Sequence, residues 1–143
     1  EDDLFEAAFE RALEMERLYV EGCFAADNGL PGALYSQRLG ERYQESAHLR
    51  FLLRAAFFPP AELRSLISTG FEGYLARMGE IFSKALQRQL PGLDEERREL
   101  FVDAYLGVID SLIVELIYAG QAAYERRLKA MWRLFADSLQ AAA

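Results

Sequence analysis

The sequence is short of the residues that sheets, disulfides and catalytic dyads draw on. Of its 143 residues only ten are β-branched, namely four valines, five isoleucines and one threonine. Strands favour such side chains, whereas the 22 leucines and 21 alanines favour helix. The single cysteine, Cys23, excludes an intrachain disulfide and suits a reducing compartment, so a cytoplasmic location is expected. It lies in an acidic segment, which raises a thiol's pKa instead of activating it. The single histidine, His48, leaves any Ser-His-Asp or Cys-His site dependent on one ring. There is no Gly-rich phosphate loop and no Cys-x-x-Cys pair. No enzymatic activity and no cofactor are expected.

A basic excess is missing too. Lysine and arginine number 16 against 23 acids, a net charge of −7. Residues 1–28 hold nine acids and two bases and residues 29–143 hold fourteen of each, so the whole imbalance belongs to the first segment. Direct binding of nucleic acid needs a basic patch to neutralise phosphates, and none is present. No apolar run is long enough for a membrane: Tyr105 to Gly120 is interrupted by Asp110 and Glu115, and a span takes about 20 apolar residues. The opening Glu1-Asp2-Asp3 is not the basic-then-apolar start of a secretory signal. The chain does not open on methionine, and a piece of a longer polypeptide is expected.

What is present is helix, punctuated by glycine and proline. Leu4, Phe5, Ala8, Phe9, Ala12, Met15, Leu18 and Tyr19 recur at helical spacing, predicting a first helix from about Asp3 to Ala26 that stops at Asp27-Asn28-Gly29. Leu34, Tyr35, Leu39 and Tyr43 mark a second, about 33–44. Ser46 is a candidate N-cap for a third, which ends near Phe58 and is apolar enough to be buried on most sides. A fourth runs from Pro60, a residue suited to a first helical turn, to Leu90. Asp94 caps a fifth to Ala119, and Gly120 separates it from a sixth, Gln121 to about Leu139. The short connections suit antiparallel neighbours. The expectation is a single all-α domain of six helices over residues 1–143.

Three patterns carry functional content. Glu45 and His48 have the Glu-x-x-His spacing of metal ligands on one helical face, but a di-iron carboxylate bundle needs two such motifs and two further glutamates; a histidine making one hydrogen bond near a helix start is the expectation adopted. The fifth helix has two apolar lines. One is Phe101, Tyr105, Val108, Ile109, Leu112 and Leu116; the other, Ala104, Gly107, Ser111, Val114 and Tyr118, has heptad-like spacing and begins with small residues. The sixth has Tyr124, Leu128, Met131 and Phe135 on one line and Trp132, Ala136 and Leu139 beside it. Either both faces are buried within one chain, or the two helices pack on a second copy as a dimeric four-helix bundle, which is the expectation adopted. Finally, Phe51, Phe57, Phe71, Tyr74, Met78 and Tyr105 converge if helices three to five share a centre, as packed core or as the wall of an apolar ligand pocket with tyrosine hydroxyls, His48 and Arg54 as its polar groups.

The order of elements, and above all the passage from His48 through Arg54-Ala55-Ala56-Phe57-Phe58-Pro59-Pro60 to Leu63, resembles the C-terminal ligand-binding and dimerisation domain of TetR-family transcriptional regulators. That resemblance implies a homodimer built on the last two helices and a small hydrophobic effector held among the second to fifth. The candidate ligand residues are Tyr35, Phe51, Arg54, Phe71, Tyr74, Met78, Tyr105 and Ile109. The candidate dimer residues are Ala104, Gly107, Ser111, Val114, Tyr118, Tyr124, Leu128, Met131 and Phe135. The family's helix-turn-helix domain has no counterpart in this sequence, so operator DNA would be bound only through an N-terminal domain absent from the chain. The competing expectations are a structural helical interaction module with no ligand, and a small enzyme or metal protein using Glu45 and His48.

Overall fold

Leucine and alanine at helical spacing, with so few β-branched residues, fold as six α-helices and no strand among the described residues. A computed structural model describes residues 2–143, with side chains from Asp3; Glu1, one of the nine acids of the opening segment, lies outside the described residues. The helices are α1 (Asp2–Ala26), α2 (Ala33–Glu45), α3 (Ala47–Phe57), α4 (Arg64–Gln89), α5 (Glu95–Tyr118) and α6 (Gln121–Ala142). No helix of the described residues is long and apolar enough to cross a membrane.

Local chemistry sets each boundary. After α1, the Asp27 carboxylate accepts from the backbone N–H groups of Gly32 (3.0 Å) and Leu34 (2.9 Å), folding the loop back onto the start of α2. Gly32 has φ +90°, a conformation that favours glycine, and a Cβ there would stand 2.5 Å from the Tyr105 ring. Ser46 has extended backbone and its side chain accepts from Leu49 N–H at 3.0 Å, so α2 and α3 are separate helices with a cap between them. Arg50 closes the end of α2 by donating to the carbonyl of Tyr43 at 2.9 Å. Asp94 caps α5 through Arg97 N–H at 2.8 Å.

Two expectations about elements are corrected. The α4 helix starts at Arg64 and not at Pro60. Pro60 holds an extended ψ of 137°, and the chain first closes a 3-10 turn over Ala61–Leu63, with Leu63 N–H donating to Pro60 C=O at 3.0 Å. The α3 helix is not enclosed on most sides either. Leu49, Leu52, Leu53 and Ala55 are buried, whereas Arg54, Phe57 and the following Phe58 are exposed, so α3 is a side wall of the domain.

Helices α5 and α6 run antiparallel as a pair: Phe101 meets Phe135 near one end (5.7 Å between ring centroids) and Glu115 accepts from Arg127 near the other (2.9 Å). The α1 helix packs against α3 and α4. The buried apolar residues fall into two clusters. The larger gathers the C-terminal halves of α1 and α4 with α2, α5, α6 and Leu49 and Leu53 of α3, around Tyr105, Phe82, Leu86 and Leu112. The smaller joins Phe9 and Ala12 of α1 to Leu52 and Ala55 of α3 and Ile67 of α4. Helices α1, α3 and α4 therefore each belong to both cores, and the space between those cores is the functional question.

Candidate functional site

A cavity of about 750 Å³ lies at the junction of the two clusters. Leu49, Leu53, Tyr35, Met78 and Ile109 reach it from the larger cluster and Leu52, Ile67 and Phe71 from the smaller. Apolar side chains of α3, α4 and α5 form most of the wall, and α1 contributes Glu16. The lining residues Phe57, Arg64, Glu72, Leu75, Asp110 and Val114 are exposed, so this side is the mouth. The volume falls in the range of about 300–1,000 Å³ typical of small-molecule sites.

The closed end is polar. Glu16 is 1% exposed, and its two carboxylate oxygens accept separately, one from Tyr35 O–H at 2.8 Å and the other from Arg42 Nη2 at 3.0 Å. Such a pairing is required, because a carboxylate withdrawn from water without partners costs several kcal/mol. Arg42 approaches from outside the cavity, with its guanidinium 4.2 Å from the centre of the Tyr19 ring. Burial, with the neighbouring Glu16 charge, pushes the phenol pKa of both Tyr35 and Tyr74 well above the ordinary value. Both therefore stay protonated at neutral pH. At the mouth, burial raises the carboxyl pKa of Asp110.

Five of the eight residues expected to meet a ligand line this cavity: Tyr35, Phe71, Tyr74, Met78 and Ile109. The other three do not. Phe51 packs on Phe5 in the smaller cluster (5.5 Å), away from the wall. Arg54 points outward from α3 and is exposed. Tyr105 is a strut of the larger core: it stacks on Phe82 at 4.4 Å, and its hydroxyl donates to Gly32 C=O at 2.8 Å. Helical spacing places these three near the right elements but cannot separate the side of a helix that faces the cavity from the side that faces a core.

Glu16 was missed, although the signal was present. Phe9, Ala12, Val20 and Cys23 form the buried stripe of α1, and Glu16 occupies the position between Ala12 and Val20 on that same stripe. A carboxylate in the middle of an apolar stripe is the anomaly that marks a buried polar site. Glu45 and His48, by contrast, are not on one helical face: the Ser46 cap puts them on different helices, and no group of three or more metal-ligating residues occurs among the described residues.

The second face is outside. On α5, Ala104, Gly107, Val114 and Tyr118 are exposed, Ser111 is half-buried, and the line extends back to the exposed Leu100. A Cβ at Gly107 would meet nothing within 4 Å. The expected contribution of α6 is corrected. Tyr124 is buried and donates its hydroxyl to Ser36 C=O, and Phe135 is buried against Phe82, Phe101 and Tyr105. Leu128 and Met131 are half-buried against the same core. The large apolar side chain that α6 does expose is Leu134, at 72%. The sequence matches no protein-family model and no curated protein.

Proposed function

We propose that this chain is an effector-sensing and dimerisation domain of the TetR-like kind, which binds a small hydrophobic molecule and passes the event to DNA-binding heads joined ahead of α1. One observation carries it: an apolar cavity of about 750 Å³ whose closed end holds a buried carboxylate and two tyrosines. Apolar walls with a few placed polar groups are the make-up of a small-molecule site.

The placement of the cavity suggests how binding is transmitted. Its walls come from two cores, and α1 spans both, with Phe9 in one and Val20 in the other. A ligand that fills the gap favours the arrangement of the two cores that fits it, and α1 turns that preference into a displacement of whatever precedes it. In this proposal two copies pair along the outer line of α5 and around Leu134, and their heads reach successive major grooves about 34–36 Å apart. No catalysis is assigned, and operator DNA is contacted only by the heads.

Thermal-shift measurement with a panel of hydrophobic compounds tests the sensing part. A ligand at about 100 times its Kd adds about 2.7 kcal/mol, which raises Tm by roughly 5–10 °C for a domain of this size. A panel spanning neutral, cationic and anionic compounds that leaves Tm unchanged counts against the proposal.

A further inference from the structure

We infer that the cavity selects an apolar cation, a molecule with a hydrophobic body and one positively charged nitrogen. The inference rests on the sensing role proposed above and deepens it. The cavity is lined by three carboxylates, Glu16, Glu72 and Asp110, against a single cationic side chain, Arg64. Arg64 is exposed at the mouth, so no cation of the protein faces the closed end.

The polar atoms at that end are arranged to receive positive charge. Each Glu16 oxygen has one partner and therefore a lone pair to spare. Arg42 pairs with Glu16 without lining the cavity, and its buried Nε–H has no acceptor. The Tyr35 proton is given to Glu16, and its oxygen, which neighbours the Tyr74 hydroxyl, keeps acceptor capacity. A carboxylate or phosphate ligand would have to sit beside Glu16 with no guanidinium or ammonium on its own side, a like-charge contact in a poorly hydrated space. A cation meets the opposite situation. It gains the Glu16 carboxylate at the closed end and the faces of Tyr35, Phe71 and Tyr74 along the wall. Asp110 and Glu72 form no ion pair among the described residues, so the field at the mouth also favours entry of positive charge.

Three probes on one ring frame test this with the full chain: 9-(aminomethyl)anthracene, a cation at neutral pH, 9-anthracenemethanol and 9-anthracenecarboxylate, each titrated by its own fluorescence. The amine is expected to bind at least tenfold more tightly than the alcohol, a difference of about 1.4 kcal/mol, and more tightly still than the carboxylate. In Glu16→Gln the amine is expected to lose at least tenfold while the alcohol changes less than threefold. Asp110→Asn, at an exposed position, is expected to weaken the amine by two- to fivefold, and it serves as the second variant if Glu16→Gln fails to fold. Alcohol or carboxylate binding as tightly as the amine would overturn the cation assignment and leave the ligand-binding role standing. An unchanged amine preference in a folded Glu16→Gln protein would overturn it as well. No binding of any of the three would remove both proposals.

Discussion

Gly70 and Gly73 lie three residues apart on α4, and the same substitution is expected to have opposite effects at the two. In a helix, glycine is less favourable than alanine by about 0.5–1 kcal/mol, because its backbone loses more freedom on folding. At Gly73 a Cβ would meet nothing within 4 Å, so Gly73→Ala should stabilise the protein by about that amount. At Gly70 the new Cβ would stand 2.5 Å from Cε2 of Phe9 and 3.2 Å from Cδ1 of Leu13. Carbon atoms prefer separations of about 3.5–4.0 Å, so something has to move. Leu13 has room to turn. Phe9 has none: it is 1% exposed and held between Phe5 at 6.1 Å and Phe71 at 5.5 Å. Overpacking of this kind costs about 1–3 kcal/mol. Gly70→Ala should therefore destabilise by about 1–2 kcal/mol after the helical gain is subtracted. For a domain of this length the first variant should melt about 2–4 °C higher and the second about 3–7 °C lower. Thermal and urea unfolding followed by far-UV circular dichroism, run side by side, decides it. A Gly70→Ala protein as stable as Gly73→Ala would refute the claim that Phe9 has no room to give way to a Cβ on α4.

Other substitutions report on the site and the outer face. Tyr35→Phe withdraws one of the two hydrogen bonds to the buried Glu16 carboxylate, and urea unfolding should show a loss of about 1.5–3 kcal/mol; a loss under about 0.5 kcal/mol would mean that cavity water replaces the phenol. Gly107→Leu places a large side chain on the exposed α5 line, where a Cβ meets nothing within 4 Å, so light scattering should show the proposed dimer converted to monomer with Tm little changed, and an unaltered oligomer would move the interface elsewhere. Asp110→Asn reads a pH effect. The folded carboxyl has a raised pKa, so the stability it contributes is full below the ordinary aspartate range and is lost as pH rises through the folded value. The variant should accordingly melt higher than the parent at pH 7, and the gap should close near pH 3.5; a gap that is constant with pH would show that Asp110 is fully solvated.

Much of the fold could be read from the chain because its signals are local. The stops at Asp27-Asn28-Gly29, Pro59-Pro60, Leu90-Pro91-Gly92 and Gly120, and the caps at Ser46 and Asp94, act within a turn or two of their own positions. Even the error at Pro60 is local, a 3-10 turn where a regular first helical turn was expected. The site was legible only in part, for a different reason. Periodicity identifies an apolar line but not what covers it. On α5 the outer line from Ala104 to Tyr118 is exposed except for the half-buried Ser111, while on α6 the line from Tyr124 to Phe135 is the inner one, held there by the Tyr124 hydroxyl on Ser36 and by the fit of Phe135 among the rings of Phe82, Phe101 and Tyr105.

The sequence by itself determined an all-helical chain of six helices, most of the places where they begin and end, and an acidic balance confined to the first segment. These follow from propensity, capping and charge, which need no knowledge of distant neighbours. Only the tertiary structure decided that the apolar residues divide into two cores with a cavity between them, that Tyr105 is a strut and not a wall, and that a glutamate on the buried stripe of α1 meets Tyr35 and Arg42 of α2. Those outcomes depend on how α1 and α4 cross the two cores, and the partners involved are up to 73 residues apart in the chain. Contacts at that range are fixed by packing, and no local pattern encodes them.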